Sequence, residues 1–131
     1  MPSQKHHIVV VDDSEFCREI ARLNLEEAGF EVTTLASPIG FSQKLMQAQP
    51  SLALVDFSMP GLKGDQLIQI AQRALKGALC PVVLFSDQPE RALAGIAKSC
   101  GADGYICKSD DWAGIIRSIQ AFIVRSRAST N

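Results

Sequence analysis

The chain has 131 residues, 47% hydrophobic and 21% charged, values of a globular domain that exclude a disordered or collagen-like chain. Thirteen basic residues against fourteen acidic ones leave a net charge of −1, too balanced for a nucleic-acid sleeve or a basic membrane patch. Four cysteines (Cys17, Cys80, Cys100, Cys107) form no CxxC pair, and His6 and His7 stand together near the start, so no zinc site is expected. The thiols read instead as small buried hydrophobes of a protein in a reducing cytosol.

The first apolar run, Ile8–Val11, is too short for a signal peptide, and no run approaches the ~20 apolar residues that span a bilayer. A cytoplasmic chain is expected, with neither membrane nor nucleic acid as a direct partner. Ile8–Val11 reads as a strand, and Phe16, Ile20 and Leu23 follow at helical spacing as the apolar stripe of a first helix ended by Gly29. Val32–Leu35 is the second strand, and Phe41, Leu45 and Ala48 mark a second helix. Leu52–Val55 is the third strand, followed by a helix over Asp65–Lys76 and Gly77. Pro81 opens the fourth strand, Val82–Phe85, where a missing ladder donor is harmless. Leu93, Ile96, Ala97 and Cys100 line a fourth helix that ends at Gly101. Tyr105–Cys107 is the fifth strand, Asp110 and Asp111 cap the last helix, and its core stripe runs from Trp112 to Ile123.

The apolar runs are hydrophobic on both faces, as strands covered on both sides must be. Five βα units predict a doubly wound α/β fold, a flavodoxin-like five-stranded parallel sheet of order 2-1-3-4-5 with five helices. One domain over residues 6–126, with tails at 1–5 and 127–131, leaves no room for a second; an output domain is expected on another chain.

In such a sheet the ligand crevice lies beyond the carboxyl ends of the strands. Asp12 and Asp13 stand there after the first strand, Asp56 after the third, Ser86 after the fourth and Lys108 after the fifth. Neighbouring strands are ~4.8 Å apart, so Asp13 and Asp56 can share a cation, and the lysine stem can reach them. Three carboxylates this close repel one another unless a cation neutralises them, and an all-oxygen set suits a hard ion such as Mg²⁺. A carboxylate beside a metal, a hydroxyl and an ammonium is equipment for taking a phosphoryl group onto Asp56. The plainer readings are that the acidic pair caps the first helix, Asp56 serves a turn before Pro60 and Gly61, Lys108 is a solvated lysine and Met59 packs a loop.

The segments VVVDDSE, LALVDFSMPGLKG, VVLFSD and ADGYICKS, in this order and spacing, resemble the receiver domain of two-component response regulators over about residues 6 to 124. The resemblance implies that Asp56 is the phosphoacceptor and that Asp12, Asp13 and Asp56 hold Mg²⁺, Asp13 more directly and Asp12 through water. It adds the backbone carbonyl of Ser58 as a ligand, Ser86 as the switch hydroxyl, Lys108 as the phosphoryl-binding lysine and Tyr105 as the switch aromatic, turning inward when Ser86 closes. The surface of the fourth helix, fifth strand and fifth helix would be regulated, leaving dimerisation there open. Two positions depart from the pattern. Ser109 replaces the proline that usually follows the lysine, and a cis peptide before a non-proline residue costs ~2.5–4 kcal/mol, so that bond is expected trans. Asp87 stands where a small residue usually follows the hydroxyl and brings a further negative charge to modulate the site.

The reading is a stand-alone receiver domain, phosphorylated by a histidine kinase or phosphotransfer protein and signalling to a downstream protein. It is not an enzyme acting on a diffusible substrate, although it assists its own Mg²⁺-dependent phosphorylation. The alternatives are a degenerate receiver that binds partners without phosphorylation and, more remotely, an aspartyl-nucleophile phosphohydrolase. The latter wants a DxD whose second aspartate position is Ser14 here.

Overall fold

The computed structural model describes residues 5–37, 40–56 and 80–128. Five strands, β1 (His7–Val11), β2 (Glu31–Leu35), β3 (Leu52–Val55), β4 (Val82–Ser86) and β5 (Gly104–Cys107), form one sheet of order β2-β1-β3-β4-β5. Every pairing is parallel, with Val11 beside both Leu35 and Val55. All five strands lie where the apolar runs place them, and the expected order holds.

Four helices are seen among the described residues: α1 (Glu15–Glu27), α2 (Phe41–Ala48), α3 (Glu90–Cys100) and α4 (Trp112–Ala128). The helix predicted over Asp65–Lys76 lies outside the described residues, as do Met59, Pro60, Gly61 and Gly77. Thus α3 and α4 correspond to the fourth and fifth predicted helices.

Alternation along each strand splits the core in two. Val9, Val11, Ala53, Val55, Val82 and Leu84 face Phe41 and Leu45 of α2 and Ala97 of α3. Ile8, Val10, Leu52, Leu54, Val83 and Phe85 face Ala21 and Leu25 of α1 and Ile115, Ile119 and Ile123 of α4. Helices on both faces bury all of β3 and β4 and β1 from Ile8 onward, which is why those runs do not alternate with polar positions. At Gly104 the last helix packs so closely on β5 that a Cβ would overlap the Phe122 ring. Gly101 ends α3 in the left-handed region, its N–H donating to the Ala97 carbonyl at 3.1 Å.

Two expectations are corrected. Helix α1 forms, but its stripe of Phe16, Ile20 and Leu23 faces solvent, 63%, 38% and 52% exposed. Its entry is pinned by Ser14, whose Oγ accepts the Cys17 N–H at 3.2 Å, and by Arg18, which donates to the Asp12 carbonyl at 2.9 Å. That entry turns Ala21 and Leu25 to the sheet. The thiols of Cys17, Cys80 and Cys107 are free and only half-buried, not core hydrophobes. Cys80 is the most perturbed: burial pushes its thiol up to about 12.

Candidate functional site

The ladder runs one residue past the strands, and that extra step builds the rim. The Asp12 N–H donates to the Leu35 carbonyl at 3.0 Å, that of Asp56 to Val11 at 2.9 Å, and that of Lys108 to Ser86 at 2.8 Å. Asp12, Asp56 and Ser86 are the buried polar residues among those described, at 1%, 6% and 1% exposure. Buried polar groups are costly unless partnered, so three of them at one end of a sheet mark a place kept for chemistry.

Asp12, Asp13 and Asp56 each offer a carboxylate oxygen within 4.8 Å of the others, with Asp13 the exposed member. Lys108 reaches across the sheet to them. Its Nζ donates to Asp12 Oδ2 at 2.6 Å and lies 3.8 Å from Asp56 Oδ2. The Lys108–Ser109 peptide is trans, as every described peptide bond is, so the missing proline does not keep the lysine from the rim. Burial opposes the ammonium charge, but the hydrogen bond it donates to Asp12 and the attraction of Asp56 outweigh it and raise the lysine above its ordinary range. The ammonium also lies 5.6 Å from the centre of the Phe85 ring, a contact the sequence did not signal. Asp12 has further duties, its Oδ1 accepting the Ser14 N–H at 2.9 Å. Among the described residues one ammonium faces three carboxylates, in a cluster of hard oxygen donors. The donor set fits a hard divalent cation.

The remaining candidates divide. The Ser86 hydroxyl, at the end of the neighbouring strand, accepts the Gln88 N–H at 3.2 Å. Tyr105 is half-buried on β5, two strand residues short of the rim and on the opposite side of the sheet from Ile106. Its hydroxyl donates to Glu90 of α3 at 3.1 Å, a partner that sequence reasoning missed. Asp87 is exposed, and the N-cap of α3 is Pro89, so Asp87 does not cap that helix. Asp111 does cap α4, accepting the Gly114 N–H at 2.8 Å. Ser58 lies outside the described residues.

The sequence model of the response regulator receiver domain matches residues 8–120. The chain belongs to the response regulator receiver family. Its relatives include the transcriptional regulatory protein CseB of Streptomyces coelicolor, 29% identical over 119 residues, covering 91% of this chain and 50% of that protein. The phosphate regulon regulatory protein PhoB of Rhizobium meliloti is 26% identical over 120 residues, 92% of this chain and 53% of that one. The chain thus spans about half the length of these relatives. Among solved structures, a CheY-like receiver domain from Methanospirillum hungatei superposes with a TM-score of 0.84 at 21% identity, over 96% of this chain and 99% of that one. The chemotaxis protein CheY4 of Vibrio cholerae gives 0.80 at 21% identity, over 91% and 99%. These likenesses support the receiver fold. No described helix of this receiver is long and apolar enough to cross a membrane.

Proposed function

We propose that this receiver domain accepts a phosphoryl group on Asp56 from a histidine kinase or phosphotransfer protein and signals through its α3–β5–α4 surface. One observation carries the reading: a buried aspartate shares its end of the sheet with two other carboxylates and a lysine that bonds to Asp12 and approaches Asp56. In the transfer, an Asp56 carboxylate oxygen bonds to phosphorus. The donor's bond to phosphorus breaks, and its electron pair leaves with the histidine nitrogen or, for acetyl phosphate, the acetate oxygen. Lys108 draws charge from the phosphoryl oxygens, and the Ser86 hydroxyl turns to donate to one of them. When bound by Asp12, Asp13, Asp56 and the Ser58 carbonyl, Mg²⁺ supplies the positive charge that lets an anionic donor approach three carboxylates.

A protein donor is favoured by the surface beside the site. Phe16 begins the solvent-facing apolar stripe of α1 three residues past Asp13, and Ile20 and Leu23 continue it. Such a stripe suits a partner that lands there. Asp87 is proposed to slow the transfer, since a negative charge 4 Å from an anionic donor costs ~1 kcal/mol even in water.

Incubation with acetyl phosphate and Mg²⁺, followed by intact-mass measurement, tests the reading. Wild type gains the mass of one phosphoryl group, Asp56→Asn gains none, and Asp87→Ala gains it severalfold faster at low salt. A hydroxylamine-labile phosphate on Asp56→Asn would move the acceptor elsewhere, and no gain by wild type would favour a phosphorylation-independent receiver.

A further inference from the structure

Ser86 and Tyr105 are tied to the same short stretch of chain, the entry to α3. The Ser86 hydroxyl accepts the Gln88 N–H at 3.2 Å, the Cys107 thiol lies 3.9 Å from the Gln88 carbonyl, and two residues on the Glu90 carboxylate accepts the Tyr105 hydroxyl at 3.1 Å. The first turn of α3 is also anchored in the core by Leu93, whose side chain is fully buried. Its N-cap is Pro89, which makes no side-chain cap hydrogen bond. With no side-chain cap, the contacts from the ends of β4 and β5 add to Leu93 in setting the position of the first turn of α3. Among these, the Tyr105–Glu90 bond is the one made to a carboxylate, a phenol donating to the side chain of a first-turn glutamate. The ring of Tyr105 packs on the same side of the sheet as Ile96 and Ala97 of α3. Glu90 thus holds the hydroxyl at the outer edge of a ring whose body already lies against the helix.

We propose that Glu90 is the positioning residue of Tyr105: its carboxylate keeps the phenol at the α3–β5 surface while Ser86 keeps its hydroxyl in the Gln88 turn, and both ties loosen together when Ser86 turns to the phosphoryl group. The second half rests on the phosphoacceptor reading; the first does not. Glu90 thereby sets how readily the surface seen by a downstream protein changes. The same hydrogen bond raises the phenol above the ordinary tyrosine range, with burial and the neighbouring Glu90 and Cys107 charges adding to it.

Tyr105 is the sole tyrosine of the chain, so its phenol absorbance and ring resonances report on this contact alone. In Glu90→Ala the phenol should titrate at lower pH than in wild type and its ring signals should shift, with unchanged helical content; Glu90→Gln, which keeps an acceptor without the charge, should fall between. Releasing one hydrogen bond should raise the acetyl phosphate labelling rate of Asp56 roughly threefold. Tyr105→Phe, which removes only the hydroxyl, should raise it equally, and the double variant no further than either single one. Unchanged tyrosine signals in Glu90→Ala, or rate effects that multiply in the double variant, would overturn the proposal. Absence of labelling in wild type would instead strike the phosphoacceptor reading, leaving the tyrosine signals to decide whether Glu90 holds the ring.

Discussion

The two ends of the sheet solve the same problem in opposite ways. At the amino end several polar side chains are tied off in pairs. His6 Nδ1 meets Ser51 Oγ at 2.8 Å, His7 Nε2 meets Thr33 Oγ1 at 2.7 Å, and the Asp103 carboxylate accepts the Val82 N–H at 2.7 Å. Cys80, beside them, keeps its proton because burial makes the thiolate costly. At the carboxyl end Asp12 and Asp56 are buried beside Asp13, with one ammonium among them. At one end each pair links neighbouring strands; at the other Lys108, beyond β5, reaches past β4 and β3 to Asp12 beyond β1. A fold meant only to be stable would have no use for the second arrangement, since gathering carboxylates in a buried place costs more than a hydrogen-bonded hydroxyl returns.

The contrast is most exposed at Lys108. Lys108→Met leaves the buried carboxylates without their ammonium and should cost about 3 kcal/mol, lowering the melting temperature by roughly 10 °C in metal-free buffer. Mg²⁺ should restore most of that loss, because a ligand of the folded state alone stabilises it. A variant as stable as wild type without metal would mean that the carboxyl end is not short of positive charge.

The next test lies at the opposite end and turns on pH. Cys80 is pushed up to about 12 from 9.0, so its contribution is fully present below pH 9 and is lost as pH rises towards 12. Wild type should lose on the order of 2 kcal/mol over that window beyond what Cys80→Ala loses, seen in urea midpoints at successive pH values. Lys108 and Tyr105, both raised, lose stability in the same direction, and the alanine variant leaves their share unchanged. Parallel curves for the two proteins would show that the thiol is not held neutral by burial.

The smallest effect is expected from the hydroxyl pairs. Ser51→Ala and Thr33→Val each remove one half-buried bond and should cost about 1 kcal/mol or less, adding nearly independently and leaving Mg²⁺ affinity untouched. A change in Mg²⁺ affinity from either would show the two ends to be coupled through the sheet.

Much of this was legible in the residues. The five apolar runs marked the five strands, because a strand covered on both faces has no room for polar alternation. The acidic pair, Asp56, Ser86 and Lys108 each followed a run directly, so the parallel topology alone put them on one rim. Less legible was which carboxylate Lys108 would choose. It takes Asp12 at 2.6 Å, although Asp56 lies nearer in the strand order, a choice made by side-chain reach across the sheet. Glu90 was hidden for a related reason, since an acidic first-turn residue looks the same whether it faces water or a tyrosine.

Helix α1 marks the boundary between the two kinds of information. Periodicity in residues 15–27 was enough to determine that a helix forms, and the run of Ile8–Val11 into two aspartates determined where the site would lie. The helix nevertheless carries apolar residues on two sides, Phe16, Ile20 and Leu23 on one and Ala21 and Leu25 on the other, and spacing alone ranks them equally. Only the tertiary structure could choose, because the Ser14 cap and the Arg18 bond to Asp12 set the angle at which the helix leaves β1. From that angle Ala21 and Leu25 meet the sheet, and the larger stripe is left on the surface beside the acidic rim.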